Sequence, residues 1–203
     1  MVKYIYFDFD GVLTTDPRGA YSTCSYLGKK IHMSTESLIP MWKHCSKELY
    51  FGNETLEKTW ACFCQKVEKD LDIALVYEAF EATPKNMPML ALCNELRTVC
   101  HLGIITDNPQ ERMDILTEQW GLRAQFDPII TSAKAKCFKK DTHIFSLALE
   151  SVGALAGESV FIDNKQENLV VPAAMGMQTY FHNQEVNDVH ALRKQLCAWG
   201  IAV

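Results

Sequence analysis

Residues 4–14 read YIYFDFDGVLT: an apolar run of four, then Asp8 and Asp10 one residue apart, then Gly11. The run has β-branched and aromatic residues and no polar alternation, which predicts a strand buried on both faces, as in a parallel sheet. Residues two apart in a strand point to the same side, roughly 6–7 Å from one another. Asp8 and Asp10 therefore face one site, where the strand gives way to a loop. Two like charges held together must be balanced by a cation or by protonation.

The same strand signal returns along the chain. HLGIIT and ESVFI match it, and DPIIT and MQTYFH are shorter versions. Between them lie amphipathic helical patterns. DNPQERMDILTEQWGL has Asn108 as a candidate cap, Pro109 at the first helical position and Gly121 to close it. DTHIFSLALESVG has Asp141 as cap and one apolar stripe of Ile144, Phe145, Ala148, Leu149 and Val152. Strands alternating with helices predict βαβ units and a Rossmann-like parallel sheet flanked by helices, an α/β fold.

The stretch 16–85 breaks the alternation. It carries three helical patterns, TESLIPMWKHCSKELYFGN, TLEKTWACFCQKVEKDL and ALVYEAFEAT, and no convincing strand. A crossover between parallel strands needs only one helix. The expected organisation is an α/β core of residues 1–15 and 86–203 with an inserted helical cap, 16–85. Pro172 falls where a further helix is expected, and costs a backbone bond unless it lies in the first turn.

Composition excludes several functions. The chain has 203 residues, 48 % of them hydrophobic and 22 % charged, with a formal net charge of −5. That charge leaves no electrostatic footprint for nucleic acid. No apolar run is long enough to span a bilayer, and the one near the N-terminus is too short for a secretory signal. Eight cysteines show no metal-type spacing. They are expected to be buried free thiols in a reducing cytosol, with a metal or redox pair such as Cys62 and Cys64 a distant second. The expected location is cytoplasmic.

In parallel α/β sheets ligands bind at the carboxyl ends of the strands. GIIT ends on Thr106, followed by Asp107 and Asn108. VFI ends on Asp163 and Asn164. The basic loop SAKAKCFKKD follows PIIT. Singly, each is an ordinary cap, turn or solvated loop. Together they place acids, a hydroxyl and a lysine at successive strand ends.

In that order they resemble the haloacid dehalogenase-like hydrolase superfamily, with a helical type 1 cap. Its first motif, Asp-x-Asp-Gly-x-x-Thr, is met by DFDGVLT. The second, an apolar strand ending in Ser or Thr, is met by GIIT. The third, a lysine ahead of Ile-Phe, is met by KKDTHIF, and the fourth by FIDNKQEN. The resemblance implies Asp8 as nucleophile, Asp10 as general acid/base, Thr106 as a hydrogen-bond donor to the phosphoryl group and Lys139 as the catalytic lysine, with Lys140 the alternative. It implies Mg²⁺ as cofactor, held by Asp8, Asp163 and the backbone carbonyl of Asp10, which leaves the Asp10 carboxyl free. Gly11, Asp107, Asn108 and Lys140 are candidates for contacting substrate. Asn164 departs from the pattern, replacing a second acid and removing one negative charge.

The implied activity is Mg²⁺-dependent hydrolysis of a small organic phosphate monoester, such as a sugar phosphate, through an aspartyl-phosphate. The expected partner is a small phosphorylated metabolite, neither nucleic acid nor membrane, and the sequence fixes no oligomeric state. Arg18, Tyr21, Lys43, His44, Lys47, Tyr50 and Trp60 are cap residues whose types suit substrate selection. The alternatives are a 2-haloacid dehalogenase, for which Asp10 and Asp163 are surplus, and a non-catalytic phospho-ligand-binding member. A signalling receiver domain fits poorly, because its phosphorylated Asp ends a later strand.

Overall fold

A computed structural model describes residues 1–203. Five parallel strands form one sheet: β1 (Tyr4–Phe7), β2 (His101–Thr106), β3 (Ile129–Thr131), β4 (Ser159–Asp163) and β5 (Gln178–Phe181), in the spatial order β3-β2-β1-β4-β5. All five predicted strands are present, and the fold is α/β as the alternation implied. The central strand β1 pairs with β2 on one side (Phe7 opposite Ile104) and β4 on the other (Phe7 opposite Ile162). Asp8, Thr106 and Asp163 therefore finish three adjacent strands at one edge.

Both faces of the sheet are covered, which explains the unbroken apolar runs. Ile5, Phe7, Ile104 and Ile162 face α5 (Met87–Leu96), α6 (Gln110–Trp120) and α10 (Val189–Ala198), meeting Leu92, Met113 and Leu192. Tyr6, Ile105 and Phe161 face the other way, against Ile144, Phe145 and Ala148 of α8 (Thr142–Ser151). Asp141 caps α8 by accepting from the His143 N–H, as expected, and Gly121 closes α6 in the left-handed region at φ 65°. Pro172 lies early in α9 (Val170–Ala174), a helix too short for the missing N–H to break it. A single turn, α7 (Ser132–Ala135), follows β3.

Between β1 and α5 the chain builds four helices: α1 (Gly19–Ile31), α2 (Thr35–Tyr50), α3 (Leu56–Val67) and α4 (Ala74–Glu81). Their buried residues form a separate core around Trp42, whose ring meets Phe63 at 5.6 Å and Phe80 at 6.4 Å, both edge-on. The chain leaves the sheet and returns to it through adjacent segments. Thr14 pairs with Lys85, Asn86 N–H donates to Leu13, and the Asn86 side chain donates to the Val12 carbonyl.

Helices α1, α5 and α10 and the single turn α7 escaped the sequence reading. Helix α1 contains Gly19, Ser22, Thr23, Ser25 and Gly28, residues with poor helix propensity, so packing rather than propensity forms it. Helix α5 carries Pro88 in its first turn and is apolar nearly all round, which hides its period.

The cysteine expectation needs correction. Cys45 on α2 is bonded to Cys62 on α3, with their Cα atoms 5.7 Å apart, and the other six cysteines are free thiols. The two helices run side by side, so residues 17 apart in sequence meet across the interface. No spacing rule reports such a pairing. No helix is long and apolar enough to cross a membrane.

Candidate active site

After β1 the backbone makes one irregular turn, Phe9–Leu13, closed by the Thr14 N–H on the Phe9 carbonyl. Gly11 takes φ +80° there, and a Cβ on it would collide with the Asn164 and Gln184 amides. Glycine is thus required by both conformation and close approach. The turn holds Asp8 and Asp10 at the edge of one cavity of about 450 Å³, which Thr106, Asp107 and Lys139 also line.

Asp8 is 3 % exposed. Its Oδ1 accepts from the Phe9 N–H at 2.7 Å and lies 2.8 Å from Lys139 Nζ. No protein group engages Oδ2, so that oxygen is available to the cavity. Lys139 also reaches Asp163 Oδ2 at 2.6 Å, bridging the two acids. Asp163 is fully buried and saturated: Oδ1 accepts from the Lys165 N–H at 2.8 Å, and the Asn168 amide spans both oxygens. Burial and the charge of Asp163 push the Asp8 carboxyl up to about 7, while Lys139 and Lys165 pull it back. Burial alone would lower Lys139; Asp8, Asp163 and Asp107 outweigh it and raise its pKa instead.

Thr106 accepts a hydrogen bond from Asn108 Nδ2 at 2.8 Å. Its own hydroxyl hydrogen is therefore free for an oxygen in the cavity. Asp107 accepts from the Lys139 N–H at 3.0 Å, which fixes the loop that carries the lysine.

Asp10 differs from expectation. Its carboxyl is not free but gripped by Arg112, with Nη2 on Oδ1 and Nη1 on Oδ2, each at 2.9 Å. Arg112 is fully buried. It also donates to Asn108 Oδ1 at 2.6 Å and Thr83 Oγ1 at 3.2 Å, and a Cβ on Gly19 would touch its Nη1 at 2.5 Å. Arg112 thus contacts both segments that join the helical layer to the sheet. Sequence reading missed it, although a signal existed. Arg112 lies on the buried stripe of α6 with Met113 and Leu116, where an unpaired arginine is very costly.

Other candidates fall in different places. Asn108 does not cap α6, whose first turn has no side-chain cap; it is buried, with its amide on Asp10 and Thr106. It lies beneath the cavity and not on its wall. Lys140 is exposed and does not line the cavity; the turn that buries Lys139 points its neighbour outward. Asn164 sits against Gly11 and Gln184. From the helical layer, Arg18, Lys43, Lys47 and Tyr50 line the cavity. Burial pushes the Tyr50 phenol up to about 12, so it is a neutral donor there. Tyr21 and His44 are exposed outside the cavity. Trp60 belongs to the helical core and donates to the Leu71 carbonyl at 2.9 Å.

A family model described as haloacid dehalogenase-like hydrolase matches residues 5–181. The chain belongs to that family. It is a hydrolase of the HAD-like superfamily, as its four motifs suggested. No curated protein matches it. Among solved structures, a predicted HAD-like family hydrolase from Porphyromonas gingivalis is 20 % identical with a TM-score of 0.77, over 97 % of this chain and 98 % of that one. A HAD family enzyme from Bacteroides thetaiotaomicron, in complex with magnesium and inorganic phosphate, is 17 % identical (TM-score 0.76; 94 % and 99 % covered). L-2-haloacid dehalogenase from Xanthobacter autotrophicus, with chloropropionic acid covalently bound, is 18 % identical (TM-score 0.70; 100 % and 85 % covered). At these identities the likeness is one of fold.

The donor set suits a hard divalent cation. Asp8 and Asp163 stand side by side as two carboxylates, bridged here by Lys139 Nζ. Mg²⁺ takes oxygen ligands, uses one or two carboxylates and keeps several waters.

Proposed function

We propose that the protein is a Mg²⁺-dependent phosphatase that hydrolyses a small organic phosphate monoester through an aspartyl-phosphate on Asp8. One observation carries the reading. Asp8 presents a free oxygen to the cavity while Lys139 ties its other oxygen to Asp163. Mg²⁺ would be held by Asp8, the Asp10 carbonyl and Asp163, the last by giving up a present partner such as Lys139, and would supply charge neutralisation where a carboxylate meets a phosphate dianion. The enzyme from B. thetaiotaomicron, bound to magnesium and inorganic phosphate, supports the same reading by analogy of fold.

In the first half-reaction Asp8 Oδ2 attacks phosphorus and the bond to the ester oxygen breaks. The departing oxygen takes a proton from the Asp10 carboxyl, which enters the cycle protonated and becomes the Arg112-paired carboxylate once that proton has gone. In the second, water attacks the phosphoryl group, gives its proton to Asp10 and displaces the Asp8 oxygen as phosphate leaves. Lys139 and the Thr106 hydroxyl bind charge on the phosphoryl oxygens. Arg112 and Asn108 aim the Asp10 carboxyl. The helices between residues 16 and 85 act as a cap that limits water and contacts the leaving group. The proposed place of action is the cytoplasm.

The test is phosphate release from a panel of small phosphate esters, with Mg²⁺ or with EDTA, by wild type and Asp8→Asn in parallel. The expected result is release that needs both the metal and Asp8, falling about a thousandfold or more in the variant. Halide release from 2-chloropropionate with no phosphate release from any ester would replace this reading with dehalogenation.

A further inference from the structure

Four cations in the cavity wall belong to no ion pair: Lys165 on the sheet side, and three from the helical segment. Arg18, Lys43 and Lys47 line the same cavity as Asp8, and none belongs to any ion pair of the protein. Lys43 and Lys47 lie four residues apart on α2, on the face that also carries Ser46 and Tyr50. Like charges at that spacing repel. Neither lysine has an acid three or four residues away; those positions hold Ile39, Pro40, His44, Ser46, Tyr50 and Phe51. Acids and bases are nearly balanced across residues 16–85, yet this segment gives the cavity cations only.

The acids in the cavity come from the sheet side: Asp8, Asp10, Asp107 and Glu167. Asp8 is answered by Lys139 and Asp10 by Arg112. A helix-surface lysine is ordinarily just solvated. These two differ because they share a face, lack any helical partner and meet a third cation from a separate segment across the nucleophile's own cavity.

We propose, resting on the phosphatase reading, that the substrate is a phosphate monoester whose leaving group carries a second anionic group, a carboxylate or another phosphate, bound by Arg18, Lys43 and Lys47. The phosphoryl end is served from the strand ends by Thr106 and Lys139. The leaving group extends from it towards the helical wall. All three are exposed and hydrated when unpaired, so a neutral leaving group gains nothing from them, whereas an anion gains their pairing. Of the lining residues only Ala20, Tyr50 and Phe138 are hydrophobic in type; the others are polar, charged or glycine.

Phosphoglycolate and ethyl phosphate test this, because they differ only by a carboxylate in place of a methyl. Binding of each to Asp8→Asn with Mg²⁺ is measured by calorimetry, and turnover by the otherwise unmodified enzyme is measured beside it. Propane-1,3-diol bisphosphate against propyl phosphate covers a leaving group charged by phosphate. The anionic member of at least one pair is expected to bind about tenfold more tightly, by a ratio that shrinks as salt rises. Adding Lys43→Gln and Lys47→Gln should bring that ratio close to one, while Lys66→Gln, on the exposed side of α3, should leave it intact. Equal binding within both pairs overturns the proposal, as does a preference that survives loss of both lysines. A preference that disappears with the lysines, in an enzyme that releases phosphate from no ester, upholds the anionic wall and rejects the phosphatase reading instead.

Discussion

The floor of the cavity and its helical wall solve opposite problems. On the floor nearly every polar group is paired at least twice: Lys139 holds Asp8 and Asp163, Asn168 spans Asp163, and Arg112 and Asn108 hold Asp10. On the wall Arg18, Lys43 and Lys47 are paired with nothing in the protein. Groups that take part in bond making must be aimed before the substrate arrives, because misplacement by about 1 Å can cost about a hundredfold in rate. Groups that recognise a leaving group need only be unpaired and within reach. On the proposed function, the difference separates the part of the site that reacts from the part that selects.

The severest way to break the comparison is to unpair the floor. Arg112→Met leaves the Asp10 carboxylate buried without its partner, and should destabilise the fold by about 3–5 kcal/mol. Adding Asp10→Asn removes the stranded charge and should restore most of that loss, a coupling that denaturant titration of the four proteins would measure. Independent, additive effects would show that Arg112 is a packing residue. By contrast, Lys43→Gln on the wall should shift stability by no more than about 0.5 kcal/mol.

A smaller effect is expected from the bond that ties α2 to α3. Cys45→Ser with Cys62→Ser opens a loop closed over 17 residues and should cost about 3 kcal/mol by the chain-entropy argument. Because the bond lies wholly in the helical layer, hydrogen exchange should quicken in α2 and α3 and stay unchanged in β1 and β4. Equal quickening in both regions would mean that layer and sheet unfold as one unit.

The two regions were also unequally legible. The floor could be read because each group occupies a fixed strand end, and period-2 geometry with parallel topology turns sequence order into spatial order. Asp8, Asp163 and Thr106 needed nothing more. The stripe of α6 signals that Arg112 is buried, but its partner stays hidden, because the pairing depends on where α6 lies against the turn at Asp10, a tertiary relation that no local pattern encodes. The Asn108 expectation failed for a related reason: its amide had better partners in Asp10 and Thr106 than the helix end offered. On the wall, residue type suggested Lys43 and Lys47 but suggested Tyr21, His44 and Trp60 equally. The rotation of α2 about its axis separates Lys43 and Lys47 from His44, and the packing of α1 and α3 sets Tyr21 and Trp60 apart. The bond between Cys45 and Cys62 depends on that same helix packing.

The mildest test probes the rim of the floor's paired network. His182, after β5, is 1 % exposed and has Nε2 3.0 Å from Asn187 Oδ1; Asn187 in turn bonds Asn86, where the chain returns from the helical layer. Burial lowers the His182 pKa below its usual 6.5, and the Asn187 contact and the charge of Asp188 only partly restore it. The folded protein therefore resists a proton that the unfolded chain accepts. Stability from this group is fully present above about pH 6.5 and declines as pH falls through the window down to the lowered folded value. The slope is at most about 1.4 kcal/mol per pH unit. His182→Gln removes the titration, so the difference in stability between variant and wild type should change between pH 7.5 and 5.5. A constant difference across that range would mean that His182 is as free to charge in the fold as in the unfolded chain, and that the tight pairing of the floor stops short of β5.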